Sequence, residues 1–191
     1  MPDPVPQRAQ ADLIEEEAIG ELVAAAKESP VAFAPLYYRC VAPVYRYILN
    51  RTGNQSEAED LTSQVFLSAL EGLAGYNHRG RLAAWLFGIA RFKVADHFRA
   101  SHRELPLEAG HAQSTDPDPL TQVIEVEDAQ RVAHAFRLLV EEDQELIRLR
   151  FVAELSFADI GEIVGCSEGA AKKRLARLLA RMERQMEVSR G

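Results

Sequence analysis

With 191 residues, 47% of them hydrophobic and 27% charged, the chain is long enough for one or two domains with a proper core. Its two cysteines, Cys40 and Cys166, lie far apart and outside any C-x-x-C pair, which excludes a disulfide framework or cysteine zinc site and fits a reducing cytosol. No apolar run approaches membrane-spanning length, and the opening MPDPVPQRAQADLIEEEA is acidic and Pro-rich where a signal peptide is basic and then apolar. Ala, Leu, Arg and Glu dominate the composition, which predicts an all-α cytoplasmic protein.

The net charge of −7 conceals segregation. Residues 1–30 hold seven acids and two cations, residues 79–103 six cations against Asp96 alone, and residues 104–130 seven acids with no Lys or Arg. From Ser167 to Gly191 two Lys and five Arg face three Glu, a net +4. Two basic stretches separated by an acidic one suggest two contacts with a polyanion.

In chain order, residues 1–11 read as disordered, with three prolines and little to bury. A helix is predicted from Asp12 to about Glu28 on the spacing of Leu13, Ile14, Ala18, Leu22, Ala25 and Ala26, stopped by Ser29-Pro30. Phe33, Leu36, Tyr37, Cys40, Val44, Tyr47 and Ile48 carry a second helical face to Asn50, with Pro43 expected to kink or split it. Cys40 on that face reads as a small core residue rather than a reactive thiol.

Gly53 ends this helix, and Ser56-x-x-Glu59 is a candidate capping box for the next. There Ala58, Leu61, Val65, Ala69 and Leu73 form the buried stripe, while Asp60, Gln64, Leu67 and Glu71 lie opposite. A polar face with a leucine in its middle is either a partner surface or a solvated face with one stray apolar residue.

From the loop GYNHRGR into the helix after it, cations and aromatics interleave: Tyr76, Arg79, Arg81, Trp85, Phe87, Arg91, Phe92, Lys93, Phe98, Arg99 and Arg103. Leu82, Leu86, Ile89 and part of Trp85 must be core. The rest suits unpaired nucleic acid, where bases stack on rings and phosphates meet cations; the bland alternative is an amphipathic helix with every aromatic buried. Residues 104–126, acidic with three prolines, read as a self-repelling, flexible linker.

A helix around Glu127–Val140 presents Val132, Ala135, Phe136 and Leu139 on one face. Another at about Glu142–Ala153 has acids at its start, where the macrodipole favours them, and a broad apolar surface of Leu146, Ile147, Leu149 and Phe151. Ser156-x-x-Asp159 then opens a short helix ended by Gly165. Ser167 caps the last helix, where Ala171, Leu175, Leu178, Leu179 and Met182 make one face and Lys172, Lys173, Arg174, Arg177, Arg181 and Arg184 the other. A short glycine turn before a cationic second helix fits either a helix-turn-helix or a solvated αα-hairpin.

The order of these parts resembles the extracytoplasmic-function (ECF) sigma factors, the smallest class of bacterial sigma factor. AEDLTSQVFLSAL is similar to that family's core-binding helix, RLAAWLFGIARFKVADHFR to its promoter-melting helix, and residues 138–182 to its region four. The resemblance spans roughly residues 12–187. It implies a region-two-like domain at 12–103, the linker at 104–126 and a four-helix region-four-like domain at 127–188. It also implies a protein with no bond chemistry and no cofactor or metal. Core RNA polymerase would dock on Asp60, Ser63, Gln64, Leu67 and Glu71. Arg79, Arg81, Trp85, Arg91, Phe92, Lys93 and Arg99 would meet the minus-ten strand. Ser167, Glu168, Lys172, Lys173, Arg174 and Arg177 would meet the minus-thirty-five duplex. An anti-sigma factor is a further implied partner, and membrane insertion is not expected.

The chain departs from the family pattern at three places. Ser63-Gln64 stands where the family usually has Gln-Glu, and Phe92 where it often has Asn. Gly161 and Ala171 replace the more usual Ala and β-branched residue, which would loosen the helix-turn-helix. Two rival functions are a stand-alone helix-turn-helix regulator with an N-terminal helical sensor, and a helical metal hydrolase. The first leaves the cationic-aromatic helix unexplained. The second has no two histidines among His78, His97, His102, His111 and His134 at a metal-site spacing such as H-E-x-x-H.

Overall fold

A computed structural model describes residues 7–77, 81–104 and 122–188, and these contain no strand. The helices are α1 (Gln7–Glu28), α2 (Ala34–Thr52), α3 (Gln55–Gly72), α4 (Leu82–Glu104), α5 (Gln122–Arg137), α6 (Glu141–Ile147), α7 (Phe157–Val164) and α8 (Glu168–Val188). Short 3₁₀ turns precede α2 and follow α3, and a π turn, Arg148–Val152, continues α6. The chain divides into two units, Met1–Leu107 and Glu108–Gly191.

In the first unit α2, α3 and α4 pack on one another, with α1 against α2 and the turns beside it. Helix α1 starts at Gln7, inside the stretch expected to be disordered, because Gln-Arg-Ala-Gln-Ala beyond Pro6 are all good helix formers. Its inward stripe is Ile19, Leu22, Val23 and Ala26, while Ala18 and Ala25 are exposed. Alanines at helical spacing carry too little apolar area to choose the buried face against Ile and Val.

Helix α2 runs unbroken through Pro43. The proline removes one rung, yet Leu36, Val44, Tyr47 and Ile48 are all buried along the helix, and burial of that size, about 1.5–3 kcal/mol per large side chain, outweighs a lost hydrogen bond. Gly53 closes α2 in the left-handed conformation, φ 67°. The cap of α3 is Asn54 rather than Ser56: its side-chain oxygen accepts the Glu57 N–H at 3.2 Å. Asn is as good a cap as Ser, and it comes two residues sooner.

The stripe Ala58, Leu61, Val65, Ala69 and Leu73 is buried as expected, joined by Phe66 and Thr62. Tyr47 of α2 meets Phe87 of α4 edge to face at 5.4 Å. Cys40 packs against the cluster of Val23, Ala26, Leu36, Leu73, Tyr76 and Leu82. Burial pushes its thiol up despite the opposing charge of Arg39, so it stays protonated and unreactive.

The second unit buries Ala135, Leu139, Leu146, Leu149, Leu155, Ile160, Ala171, Leu175, Leu178 and Met182. Helix α5 begins at Gln122, five residues before the expected Glu127 and within the stretch read as linker; residues 105–121 of that stretch lie outside the described residues. Helix α6 does not stay α-helical to Ala153. The Ala153 N–H reaches back five residues to the Arg148 carbonyl at 3.0 Å, and this wider turn leaves Phe151 exposed while Leu149 is buried. Val132 and Leu179, both expected inside, are exposed as well.

Candidate nucleic-acid and partner surfaces

Three helix surfaces are outward-facing, and each is held by packing on its inner side. On α3, Asp60, Ser63, Gln64, Leu67 and Glu71 are all exposed, with Leu67 at 58%. The five expected docking residues therefore lie together on one surface, opposite Leu61, Val65 and Ala69.

Helix α4 buries Leu82, Ala84, Leu86, Phe87, Ala90 and Val94. Trp85, Phe92 and Arg99 are spaced by seven residues and follow one line on its other side. They do not share one role. Trp85 is half-buried, stacked on Tyr76 with centroids 4.6 Å apart, and belongs to the packing of α4 against the α1–α2 cluster. Part of the ring is core, as expected, and the rest stays on the outward line with Phe92. Phe92 is 61% exposed, with the Arg99 guanidinium 5.9 Å from its ring centroid. Arg99 also pairs with Asp96 at 3.5 Å. Arg81 is exposed, and Arg91 and Lys93 are half-buried on the flanks. Arg79 lies outside the described residues. Phe87, read as part of the interleaved pattern, is core. Toward the far end of α4, His97 Nε2 meets Glu57 Oε2 at 3.0 Å, tying α4 to the start of α3.

In the second unit Ser156 accepts the Asp159 N–H at 3.1 Å and opens α7, and Gly165, φ 72°, closes it. The Cys166 N–H returns to the Gly161 carbonyl at 2.8 Å. Ser167 Oγ accepts the Ala170 N–H at 3.2 Å and opens α8. A Cβ on Gly161 would stand 2.7 Å from the Cys166 carbonyl oxygen and 3.2 Å from the Glu168 nitrogen. The glycine thus lets the turn close directly onto α7, and Ala171 is fully buried. The looser packing expected from these two small residues is overturned: they make the motif tighter.

The cations of α8 fall into two sets. Lys172, Lys173, Arg177 and Arg184 are exposed, as are Ser167 and Glu168. Arg174 instead donates from Nε and Nη2 to Asp143 Oδ1 at 3.0 and 2.8 Å, and Arg181 from Nη2 to Asp143 Oδ2 at 2.7 Å. Arg174, expected to meet the duplex, thus has its guanidinium held on a carboxylate. Asp143 is buried in the first turn of α6. Burial alone pushes its carboxyl up, but hydrogen bonds and charge from the two arginines outweigh this and leave it below the ordinary carboxylate value. The acidic run Glu141-Glu142-Asp143 suggested only a dipole preference. The missed signal was an arginine pair seven apart, which places two cations on one line of a helix.

Among the described residues no group of three His, Cys, Asp or Glu side chains is placed to hold a metal ion, and no helix is long and apolar enough to cross a membrane.

These two units coincide with two family patterns. Residues 36–104 match the model for sigma-70 region 2, and residues 129–182 that for sigma-70 region 4. Over 158 residues the chain is 39% identical to the ECF RNA polymerase sigma factor BldN of Streptomyces coelicolor, covering 79% of this chain and 60% of that one. It is 32% identical over 148 residues to the ECF RNA polymerase sigma factor SigD of Mycobacterium tuberculosis, covering 73% of this chain and 70% of SigD. Among solved structures, the sigma factor RpoE of Bartonella quintana, in complex with the anti-sigma factor NepR, has a similar fold: TM-score 0.59, 22% identity, 82% of this chain and 97% of that chain covered. The chain belongs to the ECF RNA polymerase sigma factors of the sigma-70 family.

Proposed function

We propose that the chain is an alternative sigma factor that directs core RNA polymerase to a set of promoters and helps open the DNA there. It makes and breaks no bond itself, and its setting is the cytoplasm. The α3 face of Asp60, Ser63, Gln64, Leu67 and Glu71 docks on core polymerase. Phe92, Arg99 and the flanking Arg81, Arg91 and Lys93 of α4 meet the opened minus-ten strand, and Arg79 adds a cation from the preceding loop. Residues of the α7–α8 turn and of α8 (Ser167, Glu168, Lys172, Lys173 and Arg177) meet the minus-thirty-five duplex in the major groove. An anti-sigma factor is a further partner, in line with the complex in which the Bartonella RpoE was solved.

The observation that carries this reading is the exposure, on one unit, of both Leu67 in a polar α3 face and Phe92 beside Arg99 on α4. A stand-alone regulator would need neither. The experiment is co-purification with core RNA polymerase followed by footprinting on promoter fragments, with and without core. The expected result is a stable complex with core, and promoter protection and strand opening only in that complex. Specific protection by the chain alone, without binding to core, would make it the stand-alone regulator instead.

A further inference from the structure

Helix α8 carries more cations than it offers to a ligand. At about 100° per residue, Lys173, Arg184 and Arg177 cluster within about 40° of arc, and Arg181 and Arg174 extend it by about 60° toward the buried side. All five side chains thus form one continuous band. Without a partner for its last two members, the band would present five cations to a polyanion of any sequence.

Asp143 changes that count. Its side chain is 13% exposed, and both of its oxygens are taken, Oδ1 by Arg174 and Oδ2 by Arg181. The two arginines are only 43% and 49% exposed. The carboxylate is anchored in turn by the first turn of α6, where the Asp143 N–H bonds the Val140 carbonyl at 2.9 Å. Two donors seven residues apart, gripped by one fixed acceptor, set both the rotation and the height of α8 against α6. Leu175, Leu178 and Met182, buried on the same helix, add a driving force that has no direction of its own.

We propose that Asp143 is a specificity-determining positioning residue: its carboxylate withholds Arg174 and Arg181 from the DNA backbone and fixes the rotation at which α8 enters the groove. Fewer phosphate contacts lower affinity for all sequences alike, while a fixed rotation preserves the base-edge contacts of the cognate one. The clamp therefore widens the gap between right and wrong sequences. This rests on the assignment of α8 to the minus-thirty-five duplex.

The test uses holoenzyme made from the full chain and core polymerase. Promoter duplexes randomised over the upstream element are selected for binding, and affinity for the selected and a scrambled element is measured between 50 and 200 mM salt. Arg181→Gln is the gentlest probe, since half of that side chain is in solvent. The clamp predicts an unchanged salt slope, because Arg181 touches Asp143 rather than phosphate; a slope lower by about 1 would overturn it. Asp143→Asn is expected to tighten binding to the scrambled element about threefold to tenfold at low salt, to steepen the slope by about 1–2, and to lower selectivity about tenfold. Asp143→Glu, which keeps the charge, should restore most of the selectivity. An Asp143→Asn protein that is folded at the assay temperature and keeps wild-type slope and selectivity would overturn the proposal. If wild-type holoenzyme shows no preference for any upstream element, the assignment of α8 fails and the clamp's role falls with it. If that preference is present and the Arg181→Gln slope drops, the clamp alone is wrong.

Discussion

Helices α4 and α8 are the two helices proposed to meet nucleic acid, and they present their charge differently. On α4 the outward line holds a ring, Phe92, beside an arginine, with Trp85 pinned by Tyr76 at one end and His97 by Glu57 toward the other. On α8 no ring accompanies the cations, and two of the cations are held back by Asp143. A ring with cations suits unpaired bases, which offer a π-face. Cations without rings suit a closed duplex, where phosphates position and base edges specify. The difference shows that charge composition alone does not tell which nucleic acid a helix meets; the fate of each side chain does.

The largest expected effect separates both surfaces from the docking face they depend on. Asp60→Arg with Leu67→Arg should abolish binding to core polymerase while leaving the helical circular-dichroism signal unchanged, because both positions are exposed on α3. Co-elution of the double variant with core on size exclusion would remove that face from the scheme. Gln64→Glu on the same face should be tolerated or should tighten the complex.

Next comes the closure behind α8. Gly161→Ala puts a Cβ 2.7 Å from a backbone carbonyl, which the turn cannot yield as a flexible side chain would. The second unit should lose about 1–3 kcal/mol of stability, the usual cost of overpacking. Upstream-element binding should weaken while docking on core persists. A denaturation midpoint equal to wild type would show that the turn relaxes freely, and that the α7–α8 angle is softer than the geometry implies.

Phe92→Ala tests α4. The ring is mostly in solvent, so folding should be unaffected. Loss of one stacked base, about 1–3 kcal/mol, should reduce open-complex formation and leave recruitment to closed duplex intact. Permanganate reactivity of the promoter separates the two steps, and equal strand opening by the variant would remove Phe92 from the interface.

What the sequence made legible was local. Gly53, Gly165 and Ser156 act through their own backbone neighbourhood, and each sits where its chemistry placed it. The α3 stripe was legible because its apolar residues are large and strictly spaced. The rest was settled by turns and contacts that a residue's own spacing does not show. Ser56 lost its capping role to Asn54 only because the preceding helix ends at Gly53, and Phe151 turned outward because a π turn interrupts the period. Trp85 was taken inward by Tyr76, nine residues before it, and Arg174 by Asp143, thirty-one residues before it. Gly161 read as a loosening because a missing Cβ says nothing about what stands in its place.

The smallest effect concerns the clamp itself and follows from its ionisation. Asp143 titrates below the ordinary carboxylate value in the folded chain, against about 3.9 when unfolded. Its contribution to stability is therefore fully present above about pH 4 and is lost as pH falls through the folded value. At neutral pH, Asp143→Asn should cost about 1–2 kcal/mol, the low end for charged hydrogen bonds because both arginines are half in solvent. As pH falls from about 4 toward the lower folded value, the wild-type carboxyl takes up a proton and comes to resemble the amide, so the two proteins should draw together in stability. Urea midpoints of both, measured at pH 7, 5, 4 and 3, give the comparison directly. A gap at pH 3 as wide as at pH 7 would mean that the amide fails for its shape rather than its charge, and that the grip of Asp143 on Arg174 and Arg181 is not an ionic one.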